Sequence, residues 1–387
     1  MPSAVQFDWG RLRMIRDGLD NAITQRRRLW FIGQLPPPVN GQNVFNGHMA
    51  ERFASYTDLH VLPLGADVGA KLWRAVVNPL RLLLRLRRDD LVYGSLPGQL
   101  GAWLFLPTVL VLRLRRHVFY LHHHSFRAVA IGPLRAIALI ERLGGAWLRH
   151  IMLCERMRDG FAALYAKGRS DHIRVMPNAA LYSAVERGEI APRAGEVRFG
   201  HMSVMTEEKG VPYLLDLWAA LLAQGCEGRL ILAGPIPDPG LRARVEAAVA
   251  AHAGRIEWRG PLSGAPKQQF FDEIDLFVLP TKLIDEADPL VLLEAYARGV
   301  AVLAPDRGCI RGRLISEDWL MSMAPAGDVA LLAGKLAQVV AERQSLPSAV
   351  QAHSERLNLA AHAAGAALFA ELGAGPETVA GILGTPR

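Results

Sequence analysis

The chain has 387 residues, 51 % of them hydrophobic and 21 % charged, with a formal net charge of +7; this globular composition excludes intrinsic disorder and suits two ordinary domains. Residues 1–180 carry 25 Lys and Arg against 12 Asp and Glu, whereas residues 181–387 carry 19 against 25. A basic first half points to an anionic partner such as a membrane surface or a lipid diphosphate, and the lack of a basic stripe interleaved with aromatics argues against nucleic acid.

The first 28 residues place Trp9, Leu12, Ile15, Leu19 and Ile23 at three- and four-residue intervals, with Arg11, Arg13 and Arg16 between them and Arg26–Arg28 behind. This N-terminal extension reads as an amphipathic basic helix, suited to a bilayer interface or to packing on its own domain. No apolar core followed by a small-residue cleavage site marks a secretory signal, so a cytoplasmic protein, peripheral on the cytoplasmic face of the membrane, is expected.

Beyond it, strands are predicted at 29–33, 59–63, 91–94, 118–121, 151–154 and 173–176, then at 197–202, 230–234, 256–260, 276–280 and 301–305. Helical stretches fall between them at 71–87, 133–148, 212–223, 241–251, 266–272 and 289–298. The most apolar run, 100–112, contains Pro107 and falls short of the roughly 20 residues a spanning helix needs, so it reads as a buried helix. Cys154, Cys226 and Cys309 match no zinc or C-x-x-C spacing.

Two successive βαβ series imply two Rossmann-like, doubly wound parallel sheets. The expected boundaries are 29–180 for the first domain, 181–196 for a linker and 197–350 for the second domain. A helical segment at 351–387 could cross back to the first domain. Ligands of such sheets bind at the carboxyl ends of the strands, which places the expected site in the cleft between the two domains.

One stretch, "EADPLVLLEAYARGV", sets Glu286 and Glu294 seven intervening residues apart at a strand-to-helix transition. Eight residues at 100° each bring Glu294 to within about 80° of the direction of Glu286, if the helix covers both. The N–H groups of Leu290 and Val291 would open that helix, where free donors and the helix dipole suit a diphosphate. Pro289 loses little there, because its missing N–H has no intrahelical partner. In "PPPVNGQN", a stiff entry leads to Asn40-Gly41, a turn that lets backbone approach a phosphate. "FYLHHHSF" ends the fourth strand with His122, His123 and His124; with no second ligand cluster evident and diverging ring directions, no metal is expected there. No D-x-D is present, and no G-x-G-x-x-G follows strand one, which argues against a dinucleotide oxidoreductase.

Together "LPPPVNGQN", "VMPNA", "EEKGVPYLLDLWAAL", "DLFVLPT" and the two-glutamate stretch, in that order, resemble the retaining glycosyltransferases of the GT-B fold, family 4 (group 1) type. The resemblance spans about residues 29–310. It implies that Glu286 contacts the transferred sugar, that Glu294 grips the ribose, and that Lys209 neutralises the β-phosphate as the sugar–phosphate bond breaks. It also places a histidine at the fourth strand end near the reacting sugar and acceptor, a role open to His122 or His124. An Arg that the family sets before the Lys is absent, and His201 or Ser203 stands there instead. Asn40-Gly41 replaces the usual Gly-Gly. The implied partners are a nucleotide-diphospho-sugar donor and a lipid-linked or polysaccharide acceptor in cell-surface glycan synthesis, with no cofactor. A GT-B nucleotide-sugar epimerase and a catalytically inactive sugar-nucleotide binder stay open as rivals, the second because of the missing Arg.

Overall fold

The computed structural model describes residues 26–38, 40–182 and 195–383. The expected amphipathic helix, apart from Arg26–Arg28, and most of the expected linker therefore lie outside the described residues. The chain divides into two compact units, Met1–Ala184 with Ala360–Arg387, and Val185–Leu359.

The first unit runs β1 (Arg28–Ile32), α1 (Gly41–Ala54), β2 (Asp58–Leu62), α2 (Val68–Arg85), β3 (Leu91–Leu96), α3 (Leu100–Leu114), β4 (Phe119–His123), α4 (Arg127–Ala130), α5 (Arg135–Gly144), β5 (Leu148–Met152), α6 (Glu155–Tyr165), β6 (Ile173–Val175) and α7 (Ala179–Tyr182). Its six strands are all parallel, in the order β2-β1-β3-β4-β5-β6. The strand order turns between β1 and β3, so ligand-facing residues are sought after these strands. α1 was not predicted, because "GQNVFNGHMAERFA" is rich in Asn and Gly. It forms because the Asn40 side chain accepts from the Asn43 N–H (2.9 Å) and because Phe45, Met49 and Phe53, four apart, are fully buried.

The arginine run that closes the N-terminal extension is engaged within the fold. Arg28 donates twice to Asp90 (2.9 and 2.7 Å), Trp30 Nε1 donates to the same carboxylate (2.7 Å), and Arg27 and Arg26 donate to the Asp89 and Ala54 carbonyls. A bidentate Arg–carboxylate pair of this kind fixes the start of β1 against β3. The apolar run at 100–112 is the helix α3, but it is not buried all round: Leu100, Trp103, Leu110 and Leu114 are exposed.

The second unit runs β7 (Val197–Met202), α8 (Val211–Ala223), β8 (Gly228–Ala233), α9 (Pro239–Ala251), β9 (Ile256–Trp258), α10 (Ala265–Glu273), β10 (Leu276–Val278), α11 (Leu290–Ala297), β11 (Ala301–Pro305), β12 (Leu320–Met321) and α12 (Pro325–Ala341). α13 (Leu346–Glu371) follows, and its last residues together with α14 (Pro376–Leu383) belong to the first unit. This sheet is also wholly parallel, in the order β12-β11-β10-β7-β8-β9. Its switch point lies between β7 and β10, and the loops leaving those two strands are where a ligand belongs. Parallel strands covered on both faces read as continuous apolar runs, which is why "RLILA" and "AVLAP" were legible as strands. β12, only two residues long, carries no such signal.

Candidate donor and acceptor sites

In the first unit the period-two alternation of a strand decides the three histidines. His122 and His124 share one side of β4: their ring centroids are 4.2 Å apart, and Phe45 sits 5.3 and 4.9 Å from them. Tyr93 lies 2.6 Å from His122 Nδ1. Burial keeps its phenol protonated, well above the usual range, and the direction of this bond follows the tautomer of the His122 ring. Nε2 of His122 and Nε2 of His124 are buried without a hydrogen-bond partner. Burial also holds both rings neutral, His122 well below its ordinary value and His124 at about 3.

His123, expected on the acceptor side with its neighbours, faces the other way. Its Nε2 meets His150 Nδ1 (2.8 Å), and Glu141 accepts from His150 Nε2 (2.9 Å) and His172 Nε2 (3.1 Å). The sequence showed no second ligand cluster, yet Glu141, His150 and His172 bring ligand atoms within 4.8 Å of one another in buried surroundings and could hold a metal ion. As they stand they close a hydrogen-bond network in which each Glu141 oxygen is matched by one ring. Burial would raise the Glu141 pKa, but the His150 and His172 bonds outweigh it and hold the carboxyl below its ordinary value.

In the second unit, the loop after β7 and the loop after β10 meet at the switch point. Lys209 Nζ and Glu286 Oε2 are 2.6 Å apart. The Lys282 N–H donates to the Glu208 carbonyl (2.7 Å), tying the two loops by backbone as well. Gly210, at φ 77°, closes the turn behind Lys209, and a Cβ there would lie 1.9 Å from the Pro280 carbonyl oxygen. Only glycine lets the two loops approach this closely. Gly308 performs the same service behind Glu286, whose carbonyl oxygen would stand 2.3 Å from an added Cβ.

The helix expected to seat a diphosphate starts at Leu290, with Pro289 as its cap. Glu286 therefore sits in the preceding loop and not on the helix, and the projection that put it on one face with Glu294 does not apply. The physical reason is Pro289, which pushes Asp288 away from helical angles. Asp288 is held by Arg313, which donates Nε to Oδ1 (2.9 Å) and Nη2 to Oδ2 (3.3 Å) in a buried bidentate pair. Glu294, on α11, pairs with Lys267 (2.6 Å). Leu290 and Val291 occupy the first turn, whose N–H groups have no partner four residues back.

His201 occupies the position of the expected Arg without supplying its charge. It is fully buried, with Nδ1 on the Val278 carbonyl (2.9 Å) and Nε2 on Ser203 Oγ (2.8 Å). Burial lowers its pKa to about 4, against a smaller raising effect of the Val278 bond. A folded-state pKa below the unfolded value means the unfolded chain binds the proton more tightly. Stability is therefore expected to be flat above about pH 6.5 and to fall as the pH drops toward 4, with His201 alone accounting for about 2 kcal/mol at pH 5. Urea midpoints of wild type and His201→Gln between pH 5 and 8 check this. A variant as steeply pH-dependent as wild type would show that His201 is not the group responsible.

Residues 196–342 match the family model described as glycosyl transferases group 1. That match lies within the second unit. No curated protein sequence matches the chain. Among solved structures, HepE of Anabaena in complex with UDP is similar over 89 % of this chain and 100 % of its own, at TM-score 0.64 and 15 % identity. A sucrose-phosphate synthase of Thermosynechococcus elongatus is similar over 90 % and 99 %, at TM-score 0.64 and 15 % identity. The lipopolysaccharide outer core galactosyltransferase WaaB in its apo form is similar over 89 % and 99 %, at TM-score 0.60 and 15 % identity. At this identity the likeness establishes the fold, two Rossmann-like units in the GT-B architecture.

Within the second unit, Lys209, Glu286, Leu290, Val291, Glu294 and the neutral His201 come from the end of β7 and from the loops and helix around one switch point. Asn40 and Gly41 belong to the first unit, where Asn40 caps α1. Lys267 and Arg313 were not foreseen, nor was Tyr93 in the first unit. Each is a partner of a predicted residue from a distant part of the chain, and no local spacing announces such a pairing.

Proposed function

We propose that the protein is a retaining hexosyltransferase of family 4 type, working without a metal, that takes a hexose from a nucleotide-diphospho-sugar. Its acceptor is lipid-linked or a polysaccharide, in cell-surface glycan synthesis at an anionic membrane surface on the cytoplasmic side. The observation that carries the reading is the Lys209–Glu286 pair at the β7/β10 switch point, beside the first turn of α11. A diphosphate seated on that turn meets the positive end of the helix and competes with Glu286 for the Lys209 ammonium. Glu286 is then free to accept from sugar hydroxyls, and Glu294 is placed for the ribose.

In the reaction the anomeric carbon–phosphate oxygen bond breaks while the acceptor oxygen bonds to the same face of that carbon. The acceptor proton passes to the leaving phosphate oxygen, whose growing charge Lys209 offsets. The first unit takes the acceptor, with Nε2 of His122 or His124 as the polar group offered to it. The HepE complexes with UDP and UDP-glucose, and the likeness to the galactosyltransferase WaaB, support a nucleotide-sugar donor.

The test is thermal stabilisation by UDP, GDP, ADP and dTDP and their common sugar conjugates. A ligand at a hundredfold excess over its Kd stabilises by about 2.7 kcal/mol. One base is expected to raise the melting temperature selectively, with the shift lost in Glu294→Ala. If no nucleotide shifts it, the donor reading fails. Nucleoside diphosphate released only when acceptor is present then separates a transferase from an epimerase or an inert binder.

A further inference from the structure

α2 inverts the usual arrangement of a surface helix. Only Asn78, Pro79 and Leu82 of its 18 residues are buried. Its large apolar side chains point outward: Trp73 is 65 %, Val76 63 % and Leu84 74 % exposed, and Leu72, Leu80 and Leu83 are exposed beside them. Positions 72, 76, 80 and 83 repeat at helical spacing, so these side chains form one continuous apolar face. Lys71, Arg74, Arg81 and Arg85 recur at three-, seven- and four-residue steps on another side, and the helix contains no acid. α3, packed against α2, adds the exposed stripe Leu100, Trp103, Leu110 and Leu114, followed by Arg115 and Arg116. Apolar patches of this extent are uncommon on a soluble surface unless something docks there.

We propose that the outward face of α2, extended by α3, docks the protein on an anionic lipid bilayer. A helix with Trp and Leu on one side and Lys and Arg on the other lies in the plane of a bilayer interface, its apolar side among the acyl chains and its cations at the headgroups. Among the described residues no helix is long and apolar enough to cross a membrane, so the attachment is lateral. Charge selects this occupant over the alternatives. A second copy placed symmetrically would set Lys71, Arg74, Arg81 and Arg85 against their own equivalents. Residues 1–25 are balanced, with Arg11, Arg13 and Arg16 against Asp8, Asp17 and Asp20, and offer no net negative charge to the basic side. Anionic headgroups alone complement both the apolar and the basic sides. The inference deepens the acceptor half of the proposed function, and its test reads binding and not turnover, so either can fail without the other.

The experiment is co-sedimentation of the full chain with vesicles of phosphatidylcholine, with and without 30 mol % phosphatidylglycerol as a probe on the order of natural anionic content. Two variants accompany it: Trp73→Ser/Val76→Ser/Leu84→Ser, and Lys71→Gln/Arg81→Gln/Arg85→Gln. All six positions are exposed, and unchanged circular dichroism and melting temperature confirm that each variant folds. Wild type is expected to prefer the anionic vesicles at least tenfold, with the preference falling in high salt. Removing three charges lowers the partition coefficient by about a hundredfold, and removing the three apolar groups lowers it on both vesicle types. Wild-type binding that survives in both variants overturns the proposal, as does no vesicle binding at all. A dimer in sedimentation equilibrium that the apolar variant abolishes, without vesicle binding, assigns the face to a second copy instead.

Discussion

Lys209→Met is expected to lower kcat by about 10²–10³, the usual loss when one electrostatic stabiliser of a developing anion is removed. The argument rests on where Lys209 sits. Its ammonium is 2.6 Å from Glu286 Oε2 and only partly exposed, with 23 % of its side chain open to solvent. A charge in such a place is screened less than one on an open surface, and it is aimed by the tight Gly210 turn behind it. The phosphate gains most of its charge only as the sugar leaves, so the loss should fall on kcat more than on KM. Lys209→Arg tells charge from shape: it keeps a cation beside Glu286 but replaces a compact ammonium by a broad planar group, and partial rescue is expected. Steady-state rates on the nucleotide-sugar found by the stabilisation panel provide the measurement. A Lys209→Met enzyme within threefold of wild type in kcat would mean that the pair with Glu286 is only structural.

The fold was legible because parallel strands covered on both faces leave apolar runs that need no partner to be recognised. Every strand longer than two residues was placed, with shifts of a few residues at the ends, although β2, β6 and β9 are only partly apolar; the 151–154 segment, for example, is β5 at Leu148–Met152. Lys209 and Glu286 were singled out by the family resemblance of their stretches, and the structure sets each in a loop that leaves an apolar strand. What escaped notice was set by geometry that spacing does not encode. Adjacent histidines look equivalent in sequence, but the pleat sends His122 and His124 to one side and His123 to a buried network with His150 and Glu141. The outward apolar face of α2 was hidden too, because a helical period says which residues share a face and not whether that face meets the core. The sequence set His201 or Ser203 in place of an Arg, and only burial shows that His201 is held neutral.

Arg313→Met is expected to destabilise the protein by about 3–5 kcal/mol, the range for removing one partner of a buried ion pair. Asp288 and Arg313 are both buried, and the guanidinium donates from two nitrogens to the two carboxylate oxygens. Met matches the length of the Arg stem but leaves the Asp288 carboxylate desolvated without its fork-shaped partner. Asp288→Leu/Arg313→Met removes both charges together, and it is expected to recover most of the loss because no uncompensated ion remains. Urea unfolding of the wild type, the two single variants and the double closes the cycle. Near-equal losses in the Arg313 single and the double would show that packing, not the charge pair, carries the effect. The pair also bears on function, because Asp288 lies in the loop between Glu286 and Pro289, the residue that caps α11. If the pair holds this loop, the single Arg313 variant loses nucleotide-induced stabilisation well below its new melting temperature, whereas a distant substitution of equal cost does not.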